Sequence, residues 1–275
     1  MHRVRFFWAG ITFLVAVCSA SLTAAAESPS STAAAGELHV GIAANYPPLA
    51  FKQDGQLTGI EVEFARQLGT DLGVKIVFVE TPFPDLIPAL LAGRIDVIMS
   101  GMSITDDRQK MVSFTHSYLR VGQMRLMRRA DVGRLKSLAA MNRSTTRIGV
   151  VTGTTGETYA RAHLGHAKIE GFVDVDAAVG ALRADRIDVF IHDAPSIWRI
   201  VGGFESTEHQ LQGRYEPLTE EYLAWAVRKG DELRDRLNGV LRKWQANGEL
   251  EHVLDQWIRT RRWTIAVPSD QPPHR

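Results

Sequence analysis

One nine-residue run occurs twice in this chain. Ala89 to Val97 reads ALLAGRIDV and Ala181 to Val189 reads ALRADRIDV, differing only where Leu91 faces Arg183 and Gly93 faces Asp185. Each copy begins as an apolar helical turn and ends by entering a short apolar run of strand type. A weaker echo lies upstream of each copy, where His39-Val40-Gly41-Ile42 resembles Arg147-Ile148-Gly149-Val150-Val151. Each of these runs leads into a polar loop. A common helix–strand junction can recur once by chance, but the paired echo points to two segments built on one plan. The chain is therefore expected to form two similar α/β lobes. The repeated strand ends at Ser100-Gly101 in one and at His192-Asp193 in the other, and ligands of open α/β sheets gather at such carboxyl ends.

The 275 residues, 45% hydrophobic and 23% charged with a net charge of +1, suffice for two small lobes. Near-neutral charge gives no support for a nucleic-acid partner, and the basic stretch Arg125 to Arg134 alternates with apolar residues as a solvated strand edge does. The first residues read as an export leader. A basic start at His2 to Arg5 precedes an apolar core, Phe6 to Val17, too short to span a membrane. Ala24-Ala25-Ala26 offers a cleavage site, giving a signal peptide over 1–26 and a flexible lead-in over 27–36. The single cysteine, Cys18, falls in this leader, and Val17 is a poor neighbour for a lipoprotein signal. The exported chain would then hold no disulfide.

Strands are expected at Leu38 to Ala43, Val74 to Val79, Ile95 to Met99, Arg147 to Val151, Ile169 to Val173, Ile187 to Ile191 and Tyr222 to Val227. Helices are expected at Ile60 to Leu72, Leu135 to Met141, Thr158 to Leu164, Val175 to Leu182, Leu233 to Trp244 and Leu250 to Trp257. Thr105 reads as the cap of a helix that opens with Asp106 and Asp107 and carries Arg108. Thr154 and Glu157 have capping-box spacing. Asp54-Gly55 is a turn signal, and the residues after Trp263 are expected to fray.

The motifs in this order resemble the family 3 periplasmic solute-binding proteins, mostly amino-acid receptors of ABC importers. The runs that carry the resemblance are Gly41 to Phe51 with Tyr46-Pro47-Pro48, Gly59 to Glu63, Leu86 to Leu90, Ser100 to Thr105 with Arg108, Gly153 to Glu157, Asp193, and Ala226 to Gly230. It covers about residues 37 to 258. The resemblance implies a two-lobed α/β flytrap, each lobe a mixed sheet flanked by helices. Residues 37–122 plus 221–262 would form one lobe and 123–220 the other, with a tail at 263–275. The two hinge strands would lie near Arg120 to Met124 and Leu218 to Tyr222.

An amino-acid receptor needs a fixed cation, aligned N–H donors and a fixed anion. Arg108 offers a planar fork that matches a carboxylate in two bonds. On spacing alone a surface pairing with a neighbouring aspartate on its own helix is the favoured reading; the resemblance reverses this and assigns it to the ligand's carboxylate. Ser103 can add a hydroxyl, and Gly101 permits a close backbone approach. Thr154 and Thr155 stand at a helix start, where free N–H groups attract anions, although plain capping suits them too. Asp193 ends the repeated strand and can pair with an ammonium. Tyr46, Phe51 and Phe83 are candidate walls for the ligand's side chain; the resemblance implies that Tyr46 and Phe83 face the cleft, with Phe51 as readily in the core. Members that select basic side chains often carry an acid shortly before the Tyr46 position. Ala43 and Ala44 stand there instead, which leaves polar or apolar amino acids as the expected ligands.

Two other functions compete. A few exported proteins of this fold are cyclohexadienyl or arogenate dehydratases, which use a glutamate shortly after the Asp193 position. This chain reads Ala194-Pro195-Ser196-Ile197 there, so catalysis is not expected. A sensory flytrap would need a separate partner. His163 and His166 make only a lone pair of metal-ligand type, and no metal or cofactor is expected. The reading is a monomeric periplasmic receptor that takes an amino acid to the membrane permease of an ABC importer.

Overall fold

The computed structural model describes residues 36–202, 210–214 and 216–258. The expected leader with Cys18, nearly all of the lead-in and the tail lie outside the described residues. In chain order the elements are β1 (Glu37–Ile42), β2 (Asn45–Tyr46), β3 (Ala50–Gln53), β4 (Gln56–Thr58), α1 (Ile60–Leu72), β5 (Lys75–Glu80), α2 (Leu86–Leu91), β6 (Val97–Ile98), α3 (Asp106–Met111), β7 (Ser113–Phe114), β8 (Leu119–Val121) and β9 (Gln123–Arg128). They continue with α4 (Leu138–Met141), β10 (Arg147–Val151), α5 (Thr155–His163), β11 (Lys168–Phe172), α6 (Val175–Arg183), β12 (Val189–Asp193), α7 (Ala194–Gly202), β13 (Leu211–Arg214), β14 (Glu221–Leu223), β15 (Ala226–Val227), α8 (Leu233–Asn247) and α9 (Glu249–Trp257).

The strands form two five-stranded mixed sheets, ordered β5-β1-β6-β15-β7 and β11-β10-β12-β9-β13. The repeat sets their common plan. In the first sheet β1 runs parallel to β5 and β6; in the second β10 runs parallel to β11 and β12. Asp96 receives the His39 N–H at the foot of β1, and Asp188 receives the Arg147 N–H at the foot of β10, at 3.0 and 2.8 Å. One of the two differing positions of the repeat is also explained. Gly93 has φ +70° and Asp185 φ +57°, and aspartate is one of the few side chains that enters this left-handed region readily.

Here the strand boundaries differ from expectation. The repeated strands begin at Val97 and Val189, two residues later than Ile95 and Ile187. Both isoleucines are fully buried in the turn instead. Their side chains fill the space where a Cβ on Gly41 or Gly149 would sit, which requires those glycines. The helix expected from Thr158 begins at Thr155, because the Thr154 hydroxyl caps it directly. The strand expected over Tyr222 to Val227 is divided into β14 and β15.

Hydrophobic packing follows the sheets. Leu38, Phe64, Tyr118, Trp225 and Trp244 sit in the core of the first lobe, which α8 and α9 help to close. Met124, Phe172, Leu182 and Phe190 sit in the core of the second. Between the lobes, β8 and β14 pair antiparallel, with Arg120 opposite Tyr222. This pair is the two-strand hinge of the fold. A small sheet, β2-β3-β4, projects the loop after β1 over the cleft, turning at Asp54-Gly55.

Candidate functional site

All eight residues expected at the site line one cavity: Tyr46, Phe83, Gly101, Ser103, Arg108, Thr154, Thr155 and Asp193. Asn45, Val151, Asp174, Val175 and His192 complete its wall. The cavity encloses about 410 Å³ of non-atom space, its solvent mouth included. Phe51 does not line it. That ring packs edge-on against Trp257 at 5.9 Å.

Each side chain is held by local structure. Thr105 caps α3 by accepting the Arg108 N–H at 3.2 Å, which fixes the base of the arginine. The Arg108 guanidinium donates to the Ser103 carbonyl at 2.8 Å and, across the cleft, to the Gly153 carbonyl at 3.2 Å. It also lies 5.4 Å from the centre of the Phe83 ring, which fixes its plane by cation–π attraction. Gly101 has φ +62°, and the place of its missing Cβ is taken by Leu49 and the Tyr46 ring. Thr154 donates its hydroxyl to the Val151 carbonyl at 2.7 Å, while the Glu157 carboxylate reaches back to the Gly153 N–H at 2.8 Å.

Asp193 is buried at the end of β12. Its carboxylate accepts hydrogen bonds from the Tyr46 hydroxyl and the Gln123 amide. Burial, reinforced by the Glu221 charge, pushes its carboxyl up to about 7, while those two donors and Arg108 pull the other way. His192 is buried beside it with its ring 5.2 Å from Tyr46. Its Nδ1 accepts the Asp193 N–H at 2.6 Å, and burial holds the imidazole neutral by lowering its pKa to about 3.

Several residues that shape the site were not read from the sequence. Gln123 is fully buried and donates to both Asp193 and the Thr155 hydroxyl, at 3.0 Å for the latter. The signal that could have found it is an amide inside the strand run Val121 to Met127, where the other polar side chain is Arg125. Glu61, buried on α1, accepts from the Gly101 N–H at 2.6 Å, the Tyr118 hydroxyl at 2.5 Å and the Trp225 indole at 3.0 Å. It thereby ties the loop under the cavity to both chain segments that enter the hinge. Ser196 on α7 donates to the Pro47 carbonyl at 2.9 Å, a second buried bond between the lobes.

Two lobes joined by a strand pair, with a fixed guanidinium on one and a buried carboxylate on the other, define a flytrap binding protein. The chain belongs to the bacterial extracellular solute-binding proteins, family 3, whose sequence profile matches residues 38–260. It is 30% identical over 225 residues to the L-cystine-binding protein TcyJ of Escherichia coli (strain K12), covering 81% of this chain and 83% of that protein. Among solved structures it resembles the ancestral amino acid-binding protein AncCDT-1, a precursor of cyclohexadienyl dehydratase, with a TM-score of 0.76 and 33% identity over 82% of this chain and 97% of that one. It also resembles a putative binding component of an ABC transporter from Wolinella succinogenes, complexed with lysine, with a TM-score of 0.78 and 28% identity over 83% of this chain and 98% of the other.

Proposed function

We propose that this protein is a non-catalytic receptor that closes on a free amino acid and delivers it to the membrane permease of an ABC importer. The observation that carries this reading is Arg108 and Asp193 lining one cavity from opposite lobes. An α-amino acid presents a carboxylate and an ammonium a short distance apart, the complement of that pair. Ser103, Thr154 and Thr155 would add donors to the carboxylate, and Tyr46 and Phe83 would flank the side chain. The described residues of 37–122 with 221–262 would move as one body against those of 123–220, bending at the β8–β14 pair. The cystine-binding relative and the lysine-bound structure are amino-acid binders, which supports the ligand class. Export to the periplasm accords with the family and with the leader, and no helix among the described residues is long and apolar enough to cross a membrane.

A second reading is a dehydratase, favoured by the likeness to a precursor of cyclohexadienyl dehydratase. Against it, Ser196 stands where those enzymes carry an acid, and its hydroxyl is engaged with Pro47. Thermal-shift screening with the common amino acids tests the receptor reading, since a ligand that binds only the folded state must raise the Tm. Incubation with prephenate and arogenate tests the other. At least one amino acid is expected to raise the Tm, and both prephenate and arogenate are expected to stay unconverted. Phenylpyruvate or phenylalanine formed at enzymatic rates would overturn the receptor reading.

A further inference from the structure

Asp174 lines the cavity and is neither of the two charged groups proposed to hold the ligand's backbone. It follows β11, whose carboxyl end lies beside that of β10, which in turn lies beside that of β12. Asp174 and Asp193 therefore stand at the same end of the second sheet, separated by two strand spacings, about 10 Å. The buried, apolar Val151 and Val175 line the wall with them. One oxygen of Asp174 accepts the Ala177 N–H at 2.8 Å and caps α6. Among the described residues its carboxylate has no other hydrogen-bond partner, and the side chain is only half-buried. One oxygen thus remains for another donor.

The charge balance of the wall points the same way. Its ionisable members are Tyr46, Arg108, Asp174, Asp193 and His192, and burial keeps the tyrosine and the histidine neutral. Glu221, whose charge is felt by both Arg108 and Asp193, adds negative potential behind the wall. A zwitterionic ligand balances Arg108 and Asp193 and leaves Asp174 unmatched. A ligand with one further positive charge balances all three. A straight alkyl stem against Val151, Val175 and the aromatic walls would carry that charge past the apolar stretch to Asp174.

We infer that Asp174 determines the specificity of this cavity, and that its ligand is an amino acid with a cationic side chain held by the Asp174 carboxylate. This rests on the amino-acid receptor reading above. It also reverses the expectation drawn from Ala43 and Ala44: the acid that is missing beside Tyr46 comes from the opposite lobe.

The test is calorimetric titration of the wild-type protein, Asp174→Asn and Asp174→Ser with arginine, lysine, glutamine and leucine. Serine and asparagine both keep an N-cap acceptor while removing the charge, and ligand-free melts report the cap. Arginine or lysine is expected to bind at least about tenfold more tightly than glutamine or leucine. Both substitutions are expected to weaken arginine and lysine about ten- to hundredfold and to leave glutamine within about threefold. Glutamine or leucine binding wild type as tightly as the cations, or both variants weakening all ligands alike, reduces Asp174 to a helix cap and leaves the receptor reading standing. A folded wild-type protein that binds none of the four while another neutral amino acid raises its Tm overturns the inference alone. Binding of no amino acid at all overturns the receptor reading with it.

Discussion

The hydroxyl of Tyr46, on β2 of the first lobe, donates to the carboxylate of Asp193 at the end of β12 in the second. The bond crosses the cleft at the group proposed to receive the ligand's ammonium, so a ligand has to share or replace it. Together with the Ser196–Pro47 bond it holds the lobes close. Tyr46→Phe is expected to give the ligand-free protein a larger radius of gyration in small-angle scattering than wild type, with the two converging at saturating ligand. Superimposable ligand-free curves would show that this bond does not set the spacing of the lobes.

Arg108→Ala is expected to weaken amino-acid binding by roughly 2–5 kcal/mol, because it leaves a carboxylate without its charged partner in a largely dehydrated cleft. That is a loss of about 30- to several-thousandfold. Arg108→Lys recovers only part of it, since an ammonium cannot make the two-bond fork. Asp193→Asn is expected to cost a similar amount by removing the ammonium's counter-charge. Calorimetric titration with ligand-free melts alongside is the measurement. A folded Arg108→Ala protein that binds within a few-fold of wild type sinks the assignment of this arginine.

Glu61 carries a pH dependence whose sign is fixed by its surroundings. Its donors among the described residues are the Gly101 N–H, the Tyr118 hydroxyl and the Trp225 indole, and burial raises its carboxyl from 4.5 to about 7 despite them. Between those values the folded protein keeps a proton that the unfolded chain has released. The group's contribution is therefore full below its unfolded pKa and is lost as the pH rises through the folded one. Glu61→Gln removes the titration. In urea unfolding, the stability of wild type relative to Glu61→Gln is expected to fall by about 3 kcal/mol from below pH 4.5 to above pH 7. Parallel pH profiles for the two proteins would mean that Glu61 does not change its protonation over that range.

The duplicated aspartates give a paired stability test. Asp188 is buried among Arg147, Arg134 and Arg128, at 2.9, 3.2 and 3.3 Å, and Asp96 is buried against Arg228 at 3.4 Å. Each also holds a backbone N–H of the adjacent strand, His39 of β1 for Asp96 and Arg147 of β10 for Asp188. Asp96→Ala and Asp188→Ala are each expected to cost about 3–5 kcal/mol, the usual result of removing one partner from a buried ion pair. The two sites lie in separate sheets, so the double variant is expected to lose nearly the sum. A loss under about 1 kcal/mol in either urea titration would reduce that carboxylate to a solvated surface charge.

Sequence alone determined what depends on near neighbours. The repeat announced two lobes because its Ala-Leu turn, its left-handed Gly93 or Asp185 and its Ile-Asp-Val exit are each local commitments of the backbone. The Ile60–Leu72 helix emerged with its observed ends because its apolar spacing and Gly73 lie within it or next to it. Six of the eight site residues were legible through motifs at a strand end or a helix start, Tyr46 and Phe83 through the family resemblance, and all eight line the cavity. Other features were not legible. Helix α7 went unread although Pro195 stands near its start, and of β2–β4 only the Asp54-Gly55 turn was read. Glu61 reads in sequence as an ordinary first-turn acid of α1, yet its donors come from Gly101, Tyr118 and Trp225, 40, 57 and 164 residues away. Asp174 likewise reads as a helix cap and nothing more. Only the pairing of β11 with β10, and of β10 with β12, carries it to the cavity wall. Propensity and capping act over a few residues, whereas burial and convergence are set by which distant strands pair, and that is what tertiary structure decided here.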